Sequence, residues 1–220
     1  MSRLIDKQLG GIRLLGFSVA GEETVVVAPE YNVCFDVGRA PREVIPIDNV
    51  CLTHGHMDHA AGVAYYFSQR GFVGLSPGRV IVHRCLAQPI QKLMDIWSDI
   101  EGHPAAGQVH GVEHLEDVEI RRGLVIRPFT VNHSRSSLGY SLIERGHKLK
   151  AEFAGKSGPQ LVALKGDGVQ IEERTEVVLL TCTGDTALGR FLELDFVRQS
   201  RALLVECTFY EADHVSRARD

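Results

Sequence analysis

Within this 220-residue chain, the stretch Thr53-His54-Gly55-His56-Met57-Asp58-His59 places four ligand-type side chains in six positions, directly after the apolar run 49–53. Alternate residues of an extended turn project to the same side, so His54 and His56 can converge on one cation. Asp58 and His59 then open the next segment and face a second. The cluster stands at the end of a strand-like run, and loops at strand ends are the natural place for chemistry.

Two further ligands are expected from distant segments. His133 follows the apolar run 124–131, and Asp185 sits in Thr183-Gly184-Asp185-Thr186 after the run 176–181. Alone, His133 reads as an ordinary histidine and Asp185 as a turn residue beside its glycine. Beside the first cluster, each stands where a strand end would deliver it to the same sheet edge.

Periodicity fills in the scaffold. Apolar or β-branched runs predict strands over 12–19, 24–28, 31–37, 49–53, 79–84, 118–121, 124–131, 138–143, 176–181 and 202–206. Ala60, Val63, Ala64 and Phe67 predict a helix over 60–69 that stops at Gly71. A second helix is predicted over 87–100, with Leu93, Ile96, Trp97 and Ile100 as its core-facing stripe and Gly102 after it. The glycine- and lysine-containing segment 146–168 reads as a loop or short excursion. Short strands with two or three helices predict an α/β fold in stacked layers, helices covering sheets. The length suits one domain, 1–220.

Composition excludes more than it selects. With 44% hydrophobic and 24% charged residues, the chain should have a packed core. Its net charge of −4 supplies no global basic field for nucleic acid. No apolar run approaches the roughly 18 residues of a membrane span, and the first ten residues lack the apolar core of a signal peptide. The five cysteines, Cys34, Cys51, Cys85, Cys182 and Cys207, form no C-x-x-C pair and read as small buried hydrophobes in a reducing compartment. A cytoplasmic protein without a membrane partner is expected.

These motifs resemble those of the metallo-β-lactamase superfamily, and within it the ribonuclease Z branch. The H-x-H-x-D-H motif stands as His54, His56, Asp58 and His59. The resemblance continues through residues 129–133, Ser137-Leu138-Gly139-Tyr140, Thr183-Gly184-Asp185-Thr186 and Val205-Glu206-Cys207-Thr208-Phe209. It implies a four-layer αββα sandwich and two divalent ions, zinc by preference with manganese or iron as alternatives. By the same resemblance His54, His56 and His133 would hold the first ion, Asp58 and His59 the second, and Asp185 would bridge them. It further implies that Asp58 accepts a proton from an attacking water and that Glu206 orients a histidine that protonates the leaving oxygen. A homodimer is common in this branch.

The pattern departs from the family in two places. The family adds a last metal ligand and the proton-donating histidine well beyond the glutamate segment, whereas here only His214 follows, too early for either role. The expectation is that C-terminal elements are missing, or that a partner chain supplies the ligand. The family's basic, glycine-rich arm is reduced to a stretch around Lys148, Lys150, Lys156, Gly158 and Pro159, so few phosphate contacts are expected from it.

Three functional readings follow. The first is a metal-dependent phosphodiesterase using a metal-activated water, with RNA as a possible substrate. The second is a small-molecule ester or thioester hydrolase resembling the glyoxalase II branch, which shares the first motif but not the Thr183–Thr186 and Glu206 segments. The third is a non-catalytic nucleic-acid or scaffold protein using zinc for stability, against which an open, aspartate-containing site argues.

Overall fold

The computed structural model describes residues 4–105 and 107–208. The first sheet has seven strands, in chain order from edge to edge: β1 (Ile5–Leu9), β2 (Ile12–Val19), β3 (Glu23–Ala28), β4 (Val33–Phe35), β5 (Asn49–Cys51), β6 (Gly78–His83) and β7 (Gly107–Val112). The β1–β2 turn is the pair Gly10-Gly11, both with positive φ, as a two-residue hairpin between right-twisted strands requires. Strands β1 to β4 pair antiparallel; from β4 to β7 the pairing is parallel. Parallel neighbours need crossovers. The β5–β6 crossover carries α1 (Met57–Ala60) and α2 (Val63–Phe72), and the β6–β7 crossover carries α3 (Arg84–Glu101).

The second sheet is built from β8 (Val118–Arg121), β9 (Leu124–Thr130), β10 (Leu138–Leu149), β11 (Glu172–Cys182) and β12 (Ala202–Leu204), in the order β12-β11-β10-β9-β8. Period-two alternation sorts the side chains between layers. In β6, Ile81 packs between the sheets against Leu138, Tyr140 and Leu142, while Val80 and Val82 join Tyr66, Phe67 and Met94 beneath the helices. On the far face of the second sheet, Phe129 and Val131 pack against Phe191 and against Val197 of α5 (Asp195–Arg198). Helices, two sheets and a short outer helix make the four-layer αββα sandwich that the resemblance implied.

Tyr140 locks the two sheets together near the rim that carries the histidines. Its hydroxyl, wholly buried, donates to the carbonyl of Leu52 at 2.9 Å and lies 3.3 Å from that of Ile81. Burial pushes its pKa far above the ordinary phenol value, so it remains a neutral donor.

The elements differ from the sequence expectations in specific ways. Helix α2 runs through Gly71 to Phe72, and the chain turns only at Gly74, where φ is +70°. The edge strands β1 and β7 carry too few consecutive apolar residues to stand out. Strand β10 continues to Leu149, and the 146–168 excursion folds into α4 (Gly158–Gly166), whose start is fixed by a capping box between Ser157 and Gln160. Strand β10 meets β9 only as far as Glu144, and β12 meets β11 only over Leu180–Cys182, so 145–149 and 172–176 form a two-stranded ribbon.

The expected core stripe of α3 is overturned. Leu93, Ile96, Trp97 and Ile100 are 40–66% exposed, and the helix instead turns Ala87, Ile90 and Met94 to the sheet. Helical spacing identifies an apolar stripe but not what covers it, and α3 carries two. The cysteines also divide: Cys34, Cys51 and Cys182 are buried as expected, whereas Cys85 and Cys207 are exposed, and none is in a disulfide.

Replacing Tyr140 by Phe removes the donor to the Leu52 carbonyl without emptying the ring's space. A loss of about 1–3 kcal/mol is expected for the buried carbonyl left unpaired; urea denaturation at a wild-type m-value would measure it, and an unchanged midpoint would refute the locking role.

Candidate metal centre

The rim is assembled at the ends of β5, β9 and β11. Beyond β5 the chain extends through Thr53 to His56, which caps α1, and Asp58 and His59 fall in the first turn of that helix. His133 follows β9 and Asp185 follows β11. The loops are tied to one another: Leu138 N donates to Thr53 O, Asn132 N to the Thr186 hydroxyl, and Asn132 bridges to Ala187. Gly184, at φ +62°, lets the Asp185 loop close on Thr53, since a Cβ there would stand 2.7 Å from Cβ of Thr53.

The predicted residues converge into two overlapping groups. Ligand atoms of His54, His56 and His133 lie within 4.8 Å of one another, and so do those of His54, His59 and Asp185. His133 Nε2 is 3.3 Å from His56 Nδ1, and Asp185 reaches His59 Nε2 at 3.3 Å and His54 Nε2 at 4.0 Å. Asp58 is in neither group; its Oδ2 accepts the N–H of Gly21 at 3.0 Å and lies 3.6 Å from His59 Nε2. Glu206 stands beside the Asp185 loop, accepting from Thr186 N and, at 3.0 Å, from the Thr208 hydroxyl. His214 lies outside the described residues.

Two residues to which the sequence reading gave no role organise this rim. Asp36, at the end of β4 with φ +56°, is fully buried and accepts from Thr53 N at 2.7 Å and from the Thr53 hydroxyl. It also holds His59 Nδ1 at 2.8 Å, while Thr53 Oγ1 holds His54 Nδ1 at 3.0 Å. One carboxylate thereby sets the rotamers of two imidazoles and turns both Nε2 atoms toward Asp185. The signal for Asp36 is the one that found Asp185, a carboxylate just past an apolar strand.

The electrostatics call for a cation. His54 Nε2 and His59 Nε2 are buried without a hydrogen-bond partner, a costly arrangement for two polar atoms facing one another. Burial, reinforced by the charge of His59, pushes His54 down to about 3, leaving its lone pair free. Burial pulls on His59 as well, but Asp185 and Asp36 outweigh it and raise that imidazole to about 10. Burial opposes ionisation of Asp185, yet His59, His54 and His133 hold its carboxyl below the usual range. His54 already offers a free lone pair and His59 would offer one once a bound ion displaced its proton, so with Asp185 between them they form a donor set suited to a divalent ion such as zinc. Asp36 and Thr53 supply the outer hydrogen bonds that such ligands use. A cavity of about 710 Å³, lined by His114, Asn132, Arg190 and Phe191 among others, lies at the end of β9, where the chain leads on to His133.

The fold and this rim define a class, and comparison with known proteins agrees. The sequence model of the metallo-beta-lactamase superfamily matches residues 35–149, and the chain belongs to that superfamily. It falls in the ribonuclease Z-like branch. Over 217 residues it is 29% identical to tRNase Z TRZ1 of Arabidopsis thaliana, covering 97% of this chain and 77% of the relative. Over 213 residues it is 32% identical to the chloroplastic tRNase Z TRZ2 of the same plant, covering 93% of this chain but only 58% of the longer relative. The human short-form tRNase Z shares the fold at a TM-score of 0.54 and 14% identity, over 95% of this chain and 76% of that one. Members of the superfamily bind divalent metal, and the histidine–aspartate groups are present here to do so. Among the described residues no helix is long and apolar enough to cross a membrane.

Replacing Thr53 by Val should break the Asp36–Thr53–His54 relay without touching a ligand atom. Metal affinity is expected to fall about 10–100-fold, the range for lost outer hydrogen bonds. Competition with a chromophoric chelator would read it, and wild-type affinity would remove Thr53 from the design.

Proposed function

We propose that this protein is a metal-dependent phosphodiesterase of ribonuclease Z type, acting on RNA through two divalent ions, zinc by preference. The observation that carries the proposal is the pair of buried, unpartnered Nε2 atoms of His54 and His59 facing Asp185. In the proposed assignment His54, His56 and His133 hold one ion, Asp58 and His59 the other, and Asp185 lies between them. Bound there, the ions would lower the pKa of a water and offset charge on the phosphoryl oxygens.

The remaining roles belong to the chain itself. Asp58 is steered by the Gly21 N–H and is placed as proton acceptor for the attacking water. Asp36 and Thr53 keep the imidazoles from rotating, so alignment is prepaid in the fold. Glu206, held by Thr186 and Thr208, orients the group that protonates the leaving oxygen. The relatives named as tRNase Z support an RNA substrate, and the Thr183–Thr186 and Glu206 segments favour a phosphodiester over a thioester. A reducing compartment, the cytoplasm in this proposal, suits five cysteines without a disulfide.

Hydrolysis of bis-(p-nitrophenyl) phosphate should be abolished by a chelator, restored by zinc, and reduced at least about 100-fold in Asp58→Ala, a loss within the range of general-base catalysis. Turnover of a thioester with no phosphodiester cleavage would instead place the protein with the thioesterases.

A homodimer completes the proposal, supported by the uncovered apolar face of α3. Trp97→Glu should convert a dimer to a monomer in light scattering; a monomeric wild type would overturn this part.

A further inference from the structure

Outside the metal centre, one cluster pairs a nucleophile with a base. His83 ends β6, two positions before Cys85, and its side chain caps α3 by accepting the Cys85 N–H at 3.3 Å. The Cys85 sulfur lies 3.1 Å from the same Nδ1, and the thiol is exposed. A nitrogen that accepts a backbone N–H carries its lone pair there, so the ring proton sits on Nε2. That nitrogen faces Glu113 Oε2 at 3.5 Å, from the segment just beyond β7.

The frame around this trio is fixed. Gly111 of β7 allows the start of α3 to lie close, since a Cβ there would stand 3.1 Å from Cα of Arg84 and from Cβ of Ala87. Arg84 pairs with Glu116 at 2.5 Å and with Glu113 at 3.6 Å, and Glu116 accepts the Glu113 N–H. Glu113 is therefore positioned between Arg84 and His83. The thiol also sits in the first turn of an 18-residue helix, where the dipole favours a negative sulfur.

We propose that Cys85 is an activated thiol, with His83 as its base and Glu113 as the group that orients the base, and that it is a modification site for low-molecular-weight disulfides. The Cys85 proton passes to His83 Nδ1, and the resulting imidazolium is balanced by Glu113. The thiolate attacks one sulfur of the disulfide; a new S–S bond forms as the old one breaks. The departing thiolate takes the proton from His83, so one disulfide is exchanged for another and no further oxidant is consumed.

The other cysteines provide internal references. Burial pushes Cys34 and Cys51 well above the usual thiol range and Cys182 to about 12, so these three stay inert. Cys207 is exposed but has no imidazole partner among the described residues, and serves as the ordinary thiol.

The test treats the intact protein with glutathione disulfide at neutral pH and follows each cysteine by peptide mass spectrometry. Cys85 should acquire the adduct at least about tenfold faster than Cys207. His83→Asn keeps a side-chain acceptor for the helix cap but removes the base, and should bring Cys85 down to the Cys207 rate. Equal rates at Cys85 and Cys207 in the wild type, or an unchanged Cys85 rate in His83→Asn, would overturn the proposal. Should His83→Asn fail to fold, Glu113→Gln decides: a slower Cys85 supports the trio, and a wild-type rate overturns it.

Discussion

The geometry of the metal rim depends on one ion-pairing carboxylate that never reaches the surface. Asp36 is sealed between the sheets and the first helical layer, and its burial raises its own pKa despite contacts to His59 and Thr53. Such a group is tolerated because every oxygen has partners: two donors from Thr53 and the ring of His59. In return it converts two mobile imidazoles into fixed directions. Remove it, and the histidine motif would remain in the chain while its Nε2 atoms lost their common aim.

This explains why the site was partly legible beforehand. His54, His56, His59, His133 and Asp185 declare themselves through residue type and through their positions just past apolar strands, and the structure brings all five together. Asp58, from the same motif, is turned toward Gly21 as much as toward the histidines. Asp36 obeys the same strand-end rule, but a single aspartate before a glycine-containing turn looks like turn chemistry until its burial is seen. Thr53 was inside the motif and still silent, because a hydroxyl announces nothing about which acceptor it will find.

The scaffold was legible where burial is two-sided and obscure elsewhere. Strands such as β3, β6 and β9 are apolar enough to be read directly, whereas β1 and β7 at the sheet edges are not. Helix α3 was located correctly but oriented wrongly, since Leu93, Ile96, Trp97 and Ile100 have the spacing of a core stripe and the exposure of a surface one. The folded tip of the β10–β11 excursion was hidden by its glycines and lysines; only the Ser157–Gln160 pair marked a helix start.

The ribbon formed by 145–149 and 172–176 has a consequence for how this chain can change. An isolated two-stranded ladder is marginally stable, so what lies beyond it draws little support from the sandwich and lends little to it. Residues there join the sandwich through the ribbon's base, where Arg145 pairs with Asp117 and Glu176 with Arg127. The tip can therefore lengthen, shorten or alter its charge over generations without disturbing the alignment of the imidazoles, so the chemistry and whatever the tip touches are free to diversify separately.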